Sequence, residues 1–224
     1  MRFKDKVALV TGAEAGVGLA VADLFAREGA TVFASDHAAP NRCSPEVCAV
    51  ALDVTDELAW QSVVDLVIER SGRLDVLVNA AVAPSYERLD ELSASSWSLS
   101  IALNQTGVFF GMREAVGVMR RQQAGAIVNV ALSSHVPAAQ EASAWHAVTG
   151  AVCGMSRNAA FALKAEGIRI NTVLSGFVRT PVPTGVTPLQ VAQGCLFLCS
   201  DEASGISGAE LAIDGCGPMS ASIS

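Results

Sequence analysis

The residues best placed to do chemistry in this 224-residue chain form one octet, Thr11-Gly12-Ala13-Glu14-Ala15-Gly16-Val17-Gly18, between a strand-like run and a helical pattern. Glycines at Gly12, Gly16 and Gly18 permit a tight turn and let backbone approach a pyrophosphate. The helix that starts near Val17 then offers its N-terminal amides to the phosphates. Asp36 ends the second strand-like run, where a carboxylate accepts hydrogen bonds from an adenosine ribose. The same carboxylate repels a 2′-phosphate, so NAD is expected in preference to NADP. Glu14 adds negative charge to the phosphate turn, against the direction a pyrophosphate prefers.

Groups able to move a proton are few. The chain has one tyrosine, Tyr86, three lysines, Lys4, Lys6 and Lys164, and three histidines. Ser133, Ser134, His135, Glu141 and His146 are close together in sequence; a histidine there suits acid–base work, and a Ser/His pair suits acyl transfer. The plainer reading makes His135 a loop residue and turns His146 away from Trp145, because adjacent helical positions do not share a face. Six cysteines are scattered without a CxxC pair. Cys195 and Cys199, one helical turn apart, read as buried thiols; no metal and no obligatory disulfide are expected.

Short apolar runs alternate with longer helical patterns from end to end. Strands are expected at residues 7–10, 31–35, 48–52, 75–79, 126–130, 169–173 and 210–213. Helices are expected from the glycine turn to Glu28, from a Thr55 cap to Ser71, from Ser96 to Arg121, from Ser143 to Glu166 and from Pro188 to Leu198. Strands apolar on both faces and separated by helices define an α/β fold. They imply a single Rossmann-type, doubly wound parallel sheet of about seven strands with helices on both faces. No linker or repeat divides the chain, so residues 1–224 read as one domain. Net charge is −7, with no basic patch for nucleic acid, and no apolar run is long enough to span a bilayer. A cytoplasmic protein is expected, since the N-terminus carries no signal pattern.

In order along the chain, TGAEAGVG, Asp53-Val54, VLVNAAVA (76–83), LNQTGVFFGM (103–112), GAIVNV (125–130), GIRINTV (167–173), SGFVRTP (175–181) and ELAIDG (210–215) resemble the motifs of the short-chain dehydrogenases/reductases. The resemblance covers nearly the whole chain. It implies a dinucleotide site built from Gly12, Gly16, Val17, Gly18, Asp36, Asp53, Val54, Asn79, Val178 and Thr180. In VLVNAAVA, Val82 replaces a glycine that lies beside the cofactor in the family, and its branched side chain crowds the ribose or nicotinamide.

In the family a tyrosine exchanges the proton, a lysine four residues later lowers its pKa and holds the ribose, and a serine orients the substrate. Here the tyrosine and lysine positions fall at Trp145 and Thr149. The serine position falls at Leu132, with Ser133 adjoining, and Asn104 remains in place. Lys164 is about 22 Å beyond Thr149 on a continuous helix, too far to substitute. The family's substrate lid is expected to be truncated to residues 181–190.

The first expectation is therefore a degenerate member that keeps the dinucleotide-binding fold as a regulatory or structural subunit. It would form a homodimer or homotetramer, or a mixed oligomer with an active relative. The alternatives are an NAD-dependent oxidoreductase with a substitute proton donor, and a repurposed isomerase, cyclase or lyase. A small apolar substrate is the partner expected, and the repurposed enzyme's lid-free cleft, lined by Trp145, Ser133, Tyr86 and His135, suits a bulky apolar one.

Overall fold

The computed structural model describes residues 1–83, 85, 87–133, 142–176 and 186–215. Seven parallel strands form one sheet: β1 Val7–Thr11, β2 Thr31–Asp36, β3 Cys48–Ala51, β4 Val76–Asn79, β5 Gly125–Leu132, β6 Ile168–Ser175 and β7 Glu210–Ile213. Their order is β3-β2-β1-β4-β5-β6-β7. This is the doubly wound arrangement that the alternating pattern implies. The order reverses between β1 and β4, and there the loops diverge at the carboxyl ends of the strands to leave a crevice.

The helices are α1 Gly16–Arg27, α2 Glu57–Ser71, α3 Ala94–Ile101, α4 Gly107–Gln122, α5 Ser143–Leu163 and α6 Pro188–Cys199. Each face of the sheet has its own apolar layer. Trp60, Val63 and Val67 of α2, Met112 and Met119 of α4 and Val148 and Val152 of α5 pack on one face with Leu9, Leu77 and Ile127. Val21 and Phe25 of α1 and Val191, Cys195 and Leu196 of α6 cover the other with Ala8, Val10 and Val128. Cys195 and Cys199 belong to this second layer, and burial pushes the Cys199 thiol up to about 12. Each thiol is therefore a neutral packing group.

Two helix boundaries differ from expectation. Asp56, not Thr55, caps α2 by accepting the Leu58 and Ala59 amides. Thr55 instead donates both its amide and its hydroxyl to Asp53. The helix expected over 96–121 is divided by a π-turn at Ala102–Thr106, and α3 starts earlier, at a Ser93 cap. A π-turn inserts one residue into the spiral and turns Asn104 inward. At α6, Thr187 and Gln190 form a reciprocal capping box with Pro188 inside the first turn. Of the connection expected to replace the lid, residues 181–185 lie outside the described residues, and residues 188–190 are already helix.

Candidate active site

Chain reversal at the switch point places the glycine turn against the end of β4. Gly12 has φ +69°, and a Cβ there would stand 2.6 Å from the Ala80 carbonyl oxygen, so only glycine fits. Gly16 has φ +60°, and no atom lies within 4 Å of where its Cβ would be, which leaves its backbone facing open space. The α1 cap residue, Ala15, has no side chain to bond the first amides, and no acidic residue sits in the first turn. An uncapped helix start beside an open glycine backbone fits an anionic diphosphate.

The neighbouring walls are fixed by specific bonds. Thr11 Oγ1 accepts the amides of Ala80 and Ala81, both at 3.1 Å, and ties the β4 loop to β1. Asp36 Oδ2 accepts the Glu14 amide at 3.1 Å, and Oδ1 accepts the His37 amide at 2.8 Å. Trp60 Nε1 donates to the Val54 carbonyl at 3.0 Å. Hydrogen bonds from the Thr55 hydroxyl and amide hold the Asp53 carboxyl below the usual carboxylate range, so it stays ionised. The carboxylate of Glu14 accepts the Asn41 amide at 3.0 Å.

The glycine turn, Asp36, Asp53, Val54 and the Ala80–Ala83 loop line one continuous cleft of about 690 Å³. Gly12, Gly16 and Val17 form its middle; Asp36, Asp53 and Val54 form one end; and Val82, Leu99, Leu132, Trp145 and Gly176 form the other. Val82 is 41% exposed and faces this space at the end expected for a nicotinamide. A glycine cradle, a strand-end carboxylate and an elongated cavity together fit a dinucleotide. The second end is apolar among the described residues, apart from backbone groups, Ser175 and the indole edge.

Several expected site residues take other positions. Gly18 supports the turn from beneath, packed on Gly12. Asn79 is buried and donates to Asn129 Oδ1 at 2.8 Å across the β4–β5 pair, so its side chain is part of the core and not of the cleft wall. Ser133 is fully buried, donates to Asp214 Oδ2 at 2.7 Å and does not line the cleft. Strand alternation gives the cleft position to Leu132, so a one-residue shift does not restore a serine. Trp145 packs with Leu132 and Ala142 and lines the cleft. Thr149 is buried, and its hydroxyl finds no hydrogen-bond partner among the described residues. Asn104 clamps Ala83, accepting its amide at 2.8 Å and donating to its carbonyl at 3.0 Å. It serves the wall of the cleft. His146 Nε2 is buried without a partner among the described residues, and His146 does not line the cleft. Val178, Thr180, Tyr86, Ser134, His135 and Glu141 lie outside the described residues.

The sequence reading missed Leu99, Leu103 and the Ser175–Gly176 step as cleft residues. Leu99 carries no local signal, because an exposed leucine on a helix is ordinary.

The short chain dehydrogenase family model matches residues 6–188. Cyclopentanol dehydrogenase of a Comamonas strain is 36% identical over 243 aligned positions, covering 96% of this chain and 97% of that protein. The 3-oxoacyl-(acyl-carrier-protein) reductase FabG of Thermotoga maritima is 35% identical, covering 96% and 98%. A crystal structure from Burkholderia xenovorans, described as a short-chain dehydrogenase/reductase, superposes with a TM-score of 0.90 at 30% identity, covering 96% of this chain and 97% of that one. The chain belongs to the short-chain dehydrogenase/reductase family, whose members bind nicotinamide dinucleotides. The relatives are named dehydrogenases and reductases. That favours the oxidoreductase alternative over the first expectation of a purely structural or regulatory subunit.

Proposed function

We propose that this protein is an NAD-dependent oxidoreductase acting on a small, neutral, apolar secondary alcohol or the matching ketone, with a proton donor other than the family's tyrosine. One observation carries the reading: a single cleft joins the glycine turn and Asp36 at one end to the apolar pocket of Leu132, Val82 and Trp145 at the other. Bound NAD supplies the hydride chemistry. The chain's residues hold its diphosphate at Gly12–Val17, receive the adenosine at Asp36, Asp53 and Val54, and exclude water around the substrate carbon with Leu99, Leu132 and Trp145. Cyclic alcohols suit that pocket by shape and polarity. The name of one relative, cyclopentanol dehydrogenase, agrees in class. Five free cysteines among the described residues, three of them buried, suit a reducing cytoplasm.

A second reading is favoured by Trp145 and Thr149. Neither side chain ionises near neutral pH, and NAD then serves as a bound structural or sensing ligand. Incubation with cyclopentanol, cyclohexanol and their ketones across pH 6–10 separates the two. Stoichiometric or catalytic conversion of NAD to NADH with the alcohols, or of NADH to NAD with the ketones, supports the oxidoreductase. Tight NAD binding with no hydride exchange over hours selects the second reading.

A further inference from the structure

Glu14 and His37 line the adenosine end of the cleft, and their backbone amides, like that of Asn41 in the loop after β2, are each bonded to a carboxylate of this chain. Asp36 takes Glu14 N at 3.1 Å and His37 N at 2.8 Å; Glu14 takes Asn41 N at 3.0 Å. Backbone amides are the donors that the anionic oxygens of a phosphate ester would seek. Here two acidic side chains hold them. The cleft is lined by Glu14, Asp36 and Asp53, with His37 the one titratable base and neither lysine nor arginine among the described lining residues. Arg42, the nearest arginine in sequence, is exposed and does not line the cleft.

The Glu14 bond belongs to a wider latch. Cys43 Sγ donates to the Ala13 carbonyl, and Ser44 donates both its amide and its hydroxyl to Asp23 of α1. The segment after β2 is thereby held against the glycine turn, so the wall beside the ribose is shaped by the same turn that receives the diphosphate.

We propose that Glu14 is a second specificity residue, acting with Asp36 to reject a 2′-phosphate both by charge and by occupying the amides that such a group would need. This inference rests on the dinucleotide reading above and goes beyond Asp36 alone. A ligand phosphorylated at the 2′-oxygen must displace both carboxylates or meet their repulsion, whereas a 2′-hydroxyl can donate to Asp36 as it stands.

Titration of NAD and NADP into wild type, Glu14→Gln, Glu14→Ala and Asp36→Asn tests this, with thermal melts confirming that each variant folds. Glutamine keeps an acceptor for the Asn41 amide but removes the charge, while alanine removes both. The NADP-to-NAD affinity ratio should rise about tenfold in Glu14→Gln, as expected from deleting one nearby like charge, and further in Glu14→Ala. A ratio that moves in Asp36→Asn but stays at the wild-type value in both Glu14 variants overturns the proposal. If wild type binds neither dinucleotide, the functional reading itself fails, an outcome distinct from an unchanged ratio.

Discussion

At the level of single residues, the chemistry turns on two buried side chains of α5. Trp145 brings an indole to the cleft, and the Thr149 hydroxyl has no hydrogen-bond partner among the described residues; the motif resemblance sets them where the family's acid and the cation that tunes it are expected. Free tyrosine has a pKa of ~10, so a tyrosine alone gains little without a lysine beside it. The Trp145→Tyr, Thr149→Lys double variant should therefore raise NAD-linked oxidation of cyclic alcohols by about a hundredfold, and Trp145→Tyr alone much less. Rates of NADH formation check this, and equal rates in the two variants would show that the cleft no longer aligns substrate with cofactor. Gly12, Gly16 and Asp36 were legible in sequence because a tight turn and a strand-end carboxylate are local requirements. The orientation of Glu14 was not, since its partner Asn41 comes 27 residues later in a loop without periodicity. Ser133 was misplaced for a related reason: one residue of strand register decides whether a side chain faces the cleft or the Asp214 side.

At the level of elements, the strands and the helix ends marked by glycine were readable from the pattern, as at Gly72, which closes α2 in the left-handed conformation. The π-turn at 102–106 was not, because one inserted residue barely disturbs the apolar period of a helix of that length. Its consequence is mechanical. Asn104 reaches the Ala83 amide and carbonyl and keeps the Val82–Ala83 wall in place. Asn104→Ala leaves both Ala83 groups without that partner and should cost about 1–3 kcal/mol of folding stability. It should also weaken dinucleotide binding, because the loop beside the cleft is released. Denaturant unfolding and NAD titration measure the two effects. Lost stability with unchanged binding would show that the wall does not depend on this clamp.

At the level of the whole molecule, two apolar layers sandwich one parallel sheet, and the site sits at the point where strand order reverses. This topology was legible because strand-length and helix-length patterns alternate without interruption. Quaternary structure is a separate matter. Trp97, Phe109 and Phe161 are 40%, 43% and 87% exposed on α3, α4 and α5. We infer a homodimer or homotetramer formed through these helices. Light scattering on purified protein should give two or four times the chain mass, and Phe161→Glu should shift it toward monomer. A wild-type monomer at high micromolar concentration would instead direct attention to a mixed assembly with an active relative.

The central claim is that this cleft receives NAD. Calorimetric titration of the purified wild-type protein with NAD and, separately, NADP tests it most directly. The account predicts saturable binding of one NAD per chain with NADP bound far more weakly. Absence of heat and of thermal stabilisation with both dinucleotides, or equal affinity for the two, would contradict it.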